Sequence, residues 1–334
     1  MSASDFVRFL ARWQHAQPGN ELAGSLGLTE VIGQLQGFQL AAGAWEAHVL
    51  PGRVRGYLPA LLDALCLSGE VVWGRFSPSQ TEVVPSRAAP IGLALRADLP
   101  WLLGPVGAVE LSAPARALRG VLARRGASFW TELLSAAGLP EKVLEPALWE
   151  LVAAGEVTAD GFAGLRALIQ KARPLRAEPQ TQPLSGGGRW SLLRAADRDG
   201  VNDQDRLEKV AHQLVRRYGV VFRDLLAREV NLPPWRALAG VLRTLEARGE
   251  LRGGRFVAGF SGEQFALPTA LASLRAVRRT ATLGAERLAL NAADPLNLAG
   301  VLTPGPRVPA VLQNQVRFVD GVPQAVDAPG AQAG

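Results

Sequence analysis

The chain has 334 residues and a formal net charge of +6, and 48% of its residues are hydrophobic, a composition typical of a folded globular protein with two to four domains. No run of about 18 apolar residues occurs, which excludes a membrane-spanning helix, and the first residues lack the pattern of a secretory signal, so we expect a cytoplasmic location. The single cysteine, Cys66, excludes an intramolecular disulfide.

The first predicted unit spans residues 1–78 and contains three helices and a wing, that is, a short β-hairpin. The predicted elements are Phe6–Gln14, Gly27–Leu35, a helix within Pro51–Leu67, and the wing Val71–Phe76. Residues 79–108 follow as a Pro-rich connector with one short strand, Ile91–Leu95.

The second predicted unit, residues 109–170, has the same order of elements. Its helices are predicted at Ala115–Ala123, Phe129–Ala137 and Val143–Val152, and a wing follows them. Residues 171–204 are rich in Pro and Gly and are predicted to be an inter-domain linker with a short strand at Arg189–Leu193.

The third predicted unit spans residues 205–282, and a β-rich segment follows it. Residues 283–326 contain short apolar runs separated by Gly and Pro, which predicts a small β-barrel or sheet. Asp320 is predicted to be the structural first half of an Asp-Gly turn, and the alternative is a functional carboxylate near the barrel. Residues 327–334 are predicted to be a disordered tail. The predicted helices are Leu207–Arg217, Val221–Arg228, Trp235–Ala247 and Thr269–Arg279, and the predicted strands are Arg287–Leu290, Leu296–Leu302, Val308–Val311 and Gln315–Val319.

One motif ends the third helix of every unit: Leu-x-x-Leu-x-x-x-Gly-Glu-(Val/Leu), with a Phe seven residues after the Gly. The two leucines share a helix face, and the glycine can end the helix in the left-handed conformation. A strand is then predicted to turn at Gly74, Gly161 or Gly253–Gly254 and return. Two helices, a Pro-containing turn, a third helix and a wing make up a winged helix. The predicted fold is therefore mainly α with short β: three tandem winged-helix domains followed by a small β-barrel or sheet. The three copies of the motif are Leu62–Phe76, Leu148–Phe162 and Leu242–Phe256.

Basic residues indicate which units contact nucleic acid, because phosphate contacts need Lys or Arg on the third helix and the wing. All but three of the 36 Lys and Arg residues are arginine. The second unit carries Glu141, Glu145, Glu150 and Asp160 in this region, so it is predicted to be a packing module. Most tryptophans are predicted to be core residues, with base stacking left open for Trp73 and Trp130. The predicted DNA-binding residues are Arg53, Arg55 and Arg75 in the first unit and Arg236, Arg243, Arg248, Arg252 and Arg255 in the third.

Several classes of enzyme are excluded by missing residues. No lysine stands in a phosphate-binding P-loop, and no Asp-Glu dipeptide offers an acidic box for ATP hydrolysis. Three isolated histidines and one cysteine cannot form a structural zinc site, and no Gly-x-Ser-x-Gly elbow occurs. We therefore expect no ATPase, metal centre or cofactor in this chain.

Longer segments resemble the C-terminal part of the large helicase-related (Lhr) family of superfamily 2 ATP-dependent DNA helicases. The resemblance extends from about residue 5 to residue 326. It implies that the motor domains, which bind ATP and Mg²⁺, belong to the parent protein and are missing here. The stretches that carry the resemblance include Trp45–Tyr57, Pro90–Leu103, Leu148–Leu168, Pro233–Phe256, Val257–Pro268 and Ala293–Pro309.

The same region is similar to the winged-helix DNA glycosylases, whose Gln-apolar-Gln motif holds the attacking water. The matching residues here are Gln34 and Gln36, which the resemblance implies as catalytic residues if this chain is a glycosylase. An amide orients water but is a poor general base. Without that activity, the two glutamines are a polar pair at a helix end.

Three functions remain as alternatives. The first is a DNA-binding accessory module of a repair helicase, with DNA and the helicase motor domains as partners and a nucleoid-associated location. The second is a DNA glycosylase that removes uracil or a damaged base after flipping it out of the duplex. The third is a protein–protein scaffold that binds the motor or assembles into a homo-oligomer.

Overall fold

The computed structural model of the chain describes residues 1–77, 86–103, 109–171, 188–194, 202–279 and 285–324. They belong to two compact units. The terminal unit contains Met1–Leu22, Ala44–Arg55 and the described part of Leu207–Gly334, and the central unit contains Ala23–Gly43 and the described part of Gly56–Arg206. The predicted first domain, residues 1–78, is therefore divided between the two units. The predicted disordered tail lies outside the described residues.

The first helix, α1 (Ala3–Trp13), belongs to the terminal unit. It begins with a capping box, in which the Asp5 N–H donates to the Ser2 hydroxyl and the Asp5 carboxylate accepts from the Ser2 N–H. Its buried face carries Phe6 and Phe9, whose rings stack with their centroids 5.7 Å apart. The short strand β1 (Leu22–Ala23) follows.

The first repeat begins with α2, and its sheet has the order β2-β5-β4. The third helix of the repeat, α4, has Pro59 at its first position, where a missing N–H costs no hydrogen bond. The elements are α2 (Gly24–Leu35), β2 (Gln39–Ala41), α3 (Ala42–Ala44) with a π-helical turn at Trp45–Val49, β3 (Val54–Arg55), α4 (Pro59–Leu67), β4 (Val71–Gly74), β5 (Pro90–Leu95), a 3₁₀ turn at Arg96–Asp98 and α5 (Leu99–Leu102).

The second repeat has a sheet of order β6-β8-β7. Its last strand lies in the segment predicted to be a linker, and the predicted strand there is confirmed as part of the wing. The elements are α6 (Ala113–Arg125), β6 (Ser128–Phe129), α7 (Trp130–Ala137), α8 (Glu141–Ala153), β7 (Val157–Ala159), α9 (Phe162–Lys171) and β8 (Arg189–Leu192).

The third repeat belongs to the terminal unit from Leu207 onward, and its sheet has the order β10-β11-β9. Its third helix, α11, has the predicted bounds. The elements are α10 (Asp203–Tyr218), β9 (Val220–Val221), a 3₁₀ helix at Arg223–Arg228, α11 (Trp235–Ala247), β10 (Arg252–Gly254), β11 (Gln264–Ala266) and α12 (Pro268–Arg279).

All three sheets have one topology: the last strand of the repeat pairs with both the first strand and the middle strand. Every pairing in the three sheets is antiparallel. A winged helix has one strand before its second helix and two strands after its third helix. The three predicted winged helices are therefore present.

The repeated motif forms the same helix end three times. The N–H of the motif glutamate donates to the carbonyl of the second leucine at 3.1, 2.9 and 3.0 Å in the three repeats, and the glycine N–H donates to the carbonyl three residues earlier. These two bonds define a Schellman motif, which requires a left-handed residue before the glutamate. Gly69, Gly155 and Gly249 have φ values of 79°, 67° and 83°. The glutamate follows the second leucine by five residues in every copy, and this is the spacing that the longer hydrogen bond of the Schellman motif requires.

The predicted return of each wing directly after the motif is wrong. In the first repeat the returning strand is β5, and in the second the helix α9 begins at Phe162 before β8 returns. The motif determines where the helix ends and where the next strand begins. The strand that pairs with it is determined by close packing. A Cβ on Gly92 of β5 would lie 2.5 Å from the Phe76 ring, so only glycine allows the ring to lie there.

The β-rich segment is a three-stranded antiparallel sheet in the described residues, and no closed barrel is present among them. Its strands are β12 (Arg287–Asn291), β13 (Gln315–Val319) and β14 (Val322–Pro323). The predicted Asp-Gly turn is confirmed, since Asp320 and Gly321 have φ values of 50° and 74° and join β13 to β14. The predicted strands at Leu296–Leu302 and Val308–Val311 are loops, held by the Asn297 amide, which donates to the carbonyls of Ala292 and Val308.

An ion-pair cluster links α1 to this sheet segment. The Arg8 guanidinium donates to both carboxylate oxygens of Glu286 at 2.6 and 3.2 Å, and Arg12 donates to one of them at 2.6 Å. The pKa of Glu286 is lowered from its ordinary value of 4.5, mainly because Arg8 hydrogen-bonds the charged form, with further attraction from Arg12.

The lowered pKa predicts an acid-dependent loss of stability. Ionised Glu286 stabilises the fold at pH values above 4.5, and this contribution is lost as the pH falls through the lower folded-state pKa. Glu286→Gln should therefore cost about 1.5–3 kcal/mol at pH 7 and less at pH 3, which lies below the ordinary value of 4.5 at which the unfolded chain takes up the proton. Denaturant unfolding of both proteins at the two pH values measures this difference. An equal cost at both values would contradict the assignment.

Candidate nucleic-acid interface

The third repeat exposes a basic surface built from α11 and β10, which we call the α11–β10 face. In α11 the residues at helical spacing, Leu238, Val241, Leu242 and Leu245, are buried, so the opposite side of the helix faces solvent. The strand β10 is exposed along its whole length. The five predicted contact residues of this repeat are all exposed: Arg236, Arg243, Arg248, Arg252 and Arg255.

Two of these arginines are already engaged by acidic side chains. Arg243 donates through Nε to Glu263 at 2.9 Å and makes a second bond to the other carboxylate oxygen, and Arg248 donates to Glu208 at 2.7 Å. The hydrogen bonds between them raise the pKa of Arg243 and lower that of Glu263. Both pairs are solvent-exposed, so they are weak and sensitive to salt.

The other three arginines have no ion-pair partner within the described part of the chain. Arg236 lies in the first turn of α11, Arg252 begins β10, and Arg255 directly follows β10. Phosphate contact at these positions would not first require breaking an ion pair. The third repeat thus offers three unpaired guanidinium groups on its third helix and wing.

The wing sequence Arg252-Gly253-Gly254-Arg255 has no side chain of its own between two arginines. The Gly253 N–H donates to the Glu246 carboxylate at 3.0 Å, and a Cβ at this position would collide with that carboxylate. Glu246 therefore fixes the wing to the end of α11, and it also places one acidic group inside the α11–β10 face.

Two predicted contact residues of the first repeat are buried, which does not favour them as DNA contacts. Arg53 is fully buried and forms a bidentate pair with Asp294 at 2.7 and 2.8 Å. Arg75 is 5% exposed and donates to the Ser77 carbonyl. Arg55 remains available, since it is 69% exposed and its nearest acidic partner, Glu21, is 3.7 Å away.

The two predicted glycosylase residues are also buried. Gln34 lies on the buried face of α2 and is 5% exposed, and Gln36 is 2% exposed. The Gln36 amide donates to the Asp98 carboxylate at 2.8 Å, and its oxygen accepts the Leu95 N–H at 3.1 Å. Gln36 therefore connects the end of α2 to the end of β5.

Both tryptophans left open for base stacking are core residues. Trp73 is fully buried, with the Trp190 and Phe162 rings edge-on at 6.0 and 6.2 Å, and its indole N–H donates to the Gly161 carbonyl. Trp130 is 3% exposed. The exposed aromatic residue in this region is instead Phe129, which the sequence analysis did not single out.

The second repeat has an acidic third helix, as predicted, but it also has a basic first helix that was overlooked. Glu150 of α8 accepts hydrogen bonds from Ser112 at the N-cap of α6, and Asp160 accepts from Arg189 at 2.7 Å. Helix α6 itself has no acidic residue. Its four basic residues, all exposed, are Arg116, Arg119, Arg124 and Arg125.

Two family models match the sequence, and both are described as large helicase-related protein, winged-helix domain. Residues 1–93 match the third such domain and residues 200–286 the fourth. The Lhr helicase/uracil glycosylase of Escherichia coli is 32% identical over an aligned length of 318 residues, and the alignment covers 86% of this chain. The chain belongs to the large helicase-related family.

A second Lhr relative also aligns with most of this chain. The Lhr helicase/probable uracil glycosylase of Mycolicibacterium smegmatis is 33% identical over an aligned length of 297 residues, and the alignment covers 82% of this chain. The alignments cover 20% and 19% of the two relatives, so the chain spans about one fifth of their length. It corresponds to the C-terminal winged-helix region of the family.

Two further findings concern membranes and metals. None of the described helices is long and apolar enough to cross a membrane. Within the described ranges, no group of three or more His, Cys, Asp and Glu side chains is arranged to hold a metal ion.

Proposed function

We propose that this chain is a DNA-binding winged-helix module of an Lhr-type helicase acting in DNA repair, and that its third repeat contacts duplex DNA through the α11–β10 face. The observation that carries the proposal is the position of three unpaired, exposed arginines on the third helix and wing of a winged helix. Helicase activity, ATP and Mg²⁺ belong to the parent protein in this proposal. The module holds DNA near the motor domains and adds no ATP chemistry.

The contact mode follows from the fold. The third helix of a winged helix enters the major groove, and the wing follows the backbone. Arg236, in the first turn of α11, is positioned at the groove, and Arg252 and Arg255 flank a wing with no side chains between them. Arg252 and Arg255 would contact phosphates on either side of the wing, and binding releases counterions from the DNA.

Removing the three unpaired arginines should weaken DNA binding and its dependence on salt. For the variant Arg236→Ala/Arg252→Ala/Arg255→Ala we expect the slope of log K against log salt to become less steep by about 2–3, since each lost phosphate contact removes about 0.9. A salt titration of binding to a duplex oligonucleotide measures this change.

The matched control changes the same charge elsewhere in the terminal unit. Arg275→Ala/Arg278→Ala/Arg287→Ala removes three exposed arginines outside the α11–β10 face. The proposal requires a smaller change in slope for this control. Equal slopes for the two triple variants would contradict it.

Glycosylase activity is the second candidate, because both relatives carry uracil glycosylase in their names. The buried positions of Gln34 and Gln36 do not favour them as catalytic residues. Release of uracil from a uracil-containing oligonucleotide is the assay for this activity. If Gln34→Ala and Gln36→Ala variants that remain folded release uracil as the wild type does, the two glutamines are not the catalytic residues.

A further inference from the structure

The second repeat has an exposed aromatic ring beside its basic helix. Phe129 is 48% exposed, and it is the only aromatic residue among the exposed large hydrophobic side chains of the described ranges. It lies at the N-cap of α7 in an extended conformation, directly before the buried Trp130. Successive residues of a strand point to opposite sides, so burial of Ser128, the other residue of β6, directs Phe129 outward.

The strand register places an arginine next to this ring. Phe129 of β6 is directly opposite Arg189 of β8. Opposite residues in an antiparallel pair have Cβ atoms about 5 Å apart on one face of the sheet. The Arg189 side chain is 53% exposed, although Asp160 accepts a hydrogen bond from it.

Helix α6 carries further positive charge directly before β6 in the chain. Arg124 and Arg125 lie in its last turn, only four or five residues before Phe129, and both are exposed. The helix packs against β8, and β6 is the outer strand of the sheet. The intervening Gly126 has open space around it, so the path from α6 to β6 is uncovered.

Acidic groups near the ring do not cancel this charge. Glu132 accepts the Phe129 N–H, Glu156 pairs with Arg119, and Asp160 pairs with Arg189. Arg124 and Arg125 have no acidic partner within the described residues. Two unpaired cations therefore precede the ring by five and four residues in the chain, and a third, partly neutralised, lies opposite it in the sheet.

We propose that Phe129, with Arg124, Arg125 and Arg189, forms a stacking platform for an unpaired base of single-stranded DNA. An exposed aromatic face beside cationic groups is the arrangement that binds single strands without reading their sequence: the base stacks on the ring and the arginines hold the flanking phosphates. The platform lies on the repeat that was predicted to be a packing module. It is separate from the α11–β10 face and does not depend on duplex binding there.

The test compares single-stranded oligothymidylate with a duplex of equal length, using the full chain. Phe129→Ala is expected to weaken single-strand binding about 5- to 100-fold, which is the usual loss for one stacked base, and to leave duplex binding within twofold. Phe129→Trp should retain binding because its ring also stacks. Phe129→Leu should lose binding as the alanine variant does, because leucine keeps apolar bulk without an aromatic face.

Two results would overturn the proposal. Unchanged single-strand affinity of Phe129→Ala would show that the ring is not part of the site. Wild-type single-strand affinity of Phe129→Leu would show that the ring makes an apolar contact, as in a protein-binding patch, and does not stack on a base. A second variant, Arg124→Ala/Arg125→Ala, should reduce the single-strand salt slope by about 1.4, or about 0.7 for each lost contact. Adding Phe129→Ala to the Arg236→Ala/Arg252→Ala/Arg255→Ala variant should weaken single-strand binding by the same factor as it does in the wild type. Failure of one surface therefore does not imply failure of the other.

Discussion

Asp294→Ala is expected to lower the free energy of unfolding of the terminal unit by about 3–5 kcal/mol, because it leaves a buried guanidinium without its partner. The side chains of Arg53 and Asp294 are 1% and 3% exposed and form a bidentate pair at 2.7 and 2.8 Å. The Val49 carbonyl also accepts a hydrogen bond from Arg53. Denaturant unfolding followed by circular dichroism measures the loss.

The chain provides a matched control two residues from Arg53. Arg55 is 69% exposed and its ion pair with Glu21 is 3.7 Å long, so Arg55→Ala should cost no more than about 1 kcal/mol. Replacing both buried partners, as in Arg53→Met/Asp294→Leu, should cost less than Asp294→Ala alone, since no unpaired charge remains. A loss below 1 kcal/mol for Asp294→Ala would show that the pair is not desolvated as described.

Trp73→Ala is expected to destabilise the central unit by about 3–5 kcal/mol, because it removes the largest side chain from a fully packed site. Trp73 is in contact with the Trp190 and Phe162 rings, and its backbone carbonyl accepts the Thr158 hydroxyl at 2.7 Å. These partners belong to the second repeat, so the residue joins the sheets of the first two repeats. Thermal unfolding of the variant measures the effect.

The control for this prediction is the exposed aromatic residue of the same unit. Phe129→Ala should change the free energy of unfolding by about 0.5 kcal/mol or less, as surface substitutions do. If Trp73→Ala changed the free energy of unfolding as little as Phe129→Ala, Trp73 would have to be accessible to solvent. Base stacking by Trp73 would then again be a candidate role.

The repeats were predictable because they depend on local rules. A glycine cap, a leucine pair one helical turn apart and a Pro-containing turn each act within a few residues, so the bounds of α11 and the caps at Gly69, Gly155 and Gly249 follow from the sequence. The same holds for the turn at Asp320–Gly321.

The roles of individual arginines were not predictable, because they depend on residues far along the chain. Arg53 and Asp294 are 241 residues apart, and no local pattern marks them as partners. The pairing of β4 with β5 depends on the packing of Phe76 on Gly92, which alternation of polar and apolar residues does not reveal. For α6, the signal was present in the sequence: four arginines and no acidic residue in one helix.

The central claim, that the α11–β10 face binds duplex DNA, is tested most directly by site-directed photocrosslinking. Thr244 is an exposed residue of α11, Ala272 is an exposed residue of α12, and the native Cys66 is buried, so a cysteine at either position can be labelled selectively. With an aryl azide attached, Thr244→Cys should crosslink to duplex DNA and Ala272→Cys should not. Crosslinking from Ala272→Cys alone, or equally from both positions, would contradict the account.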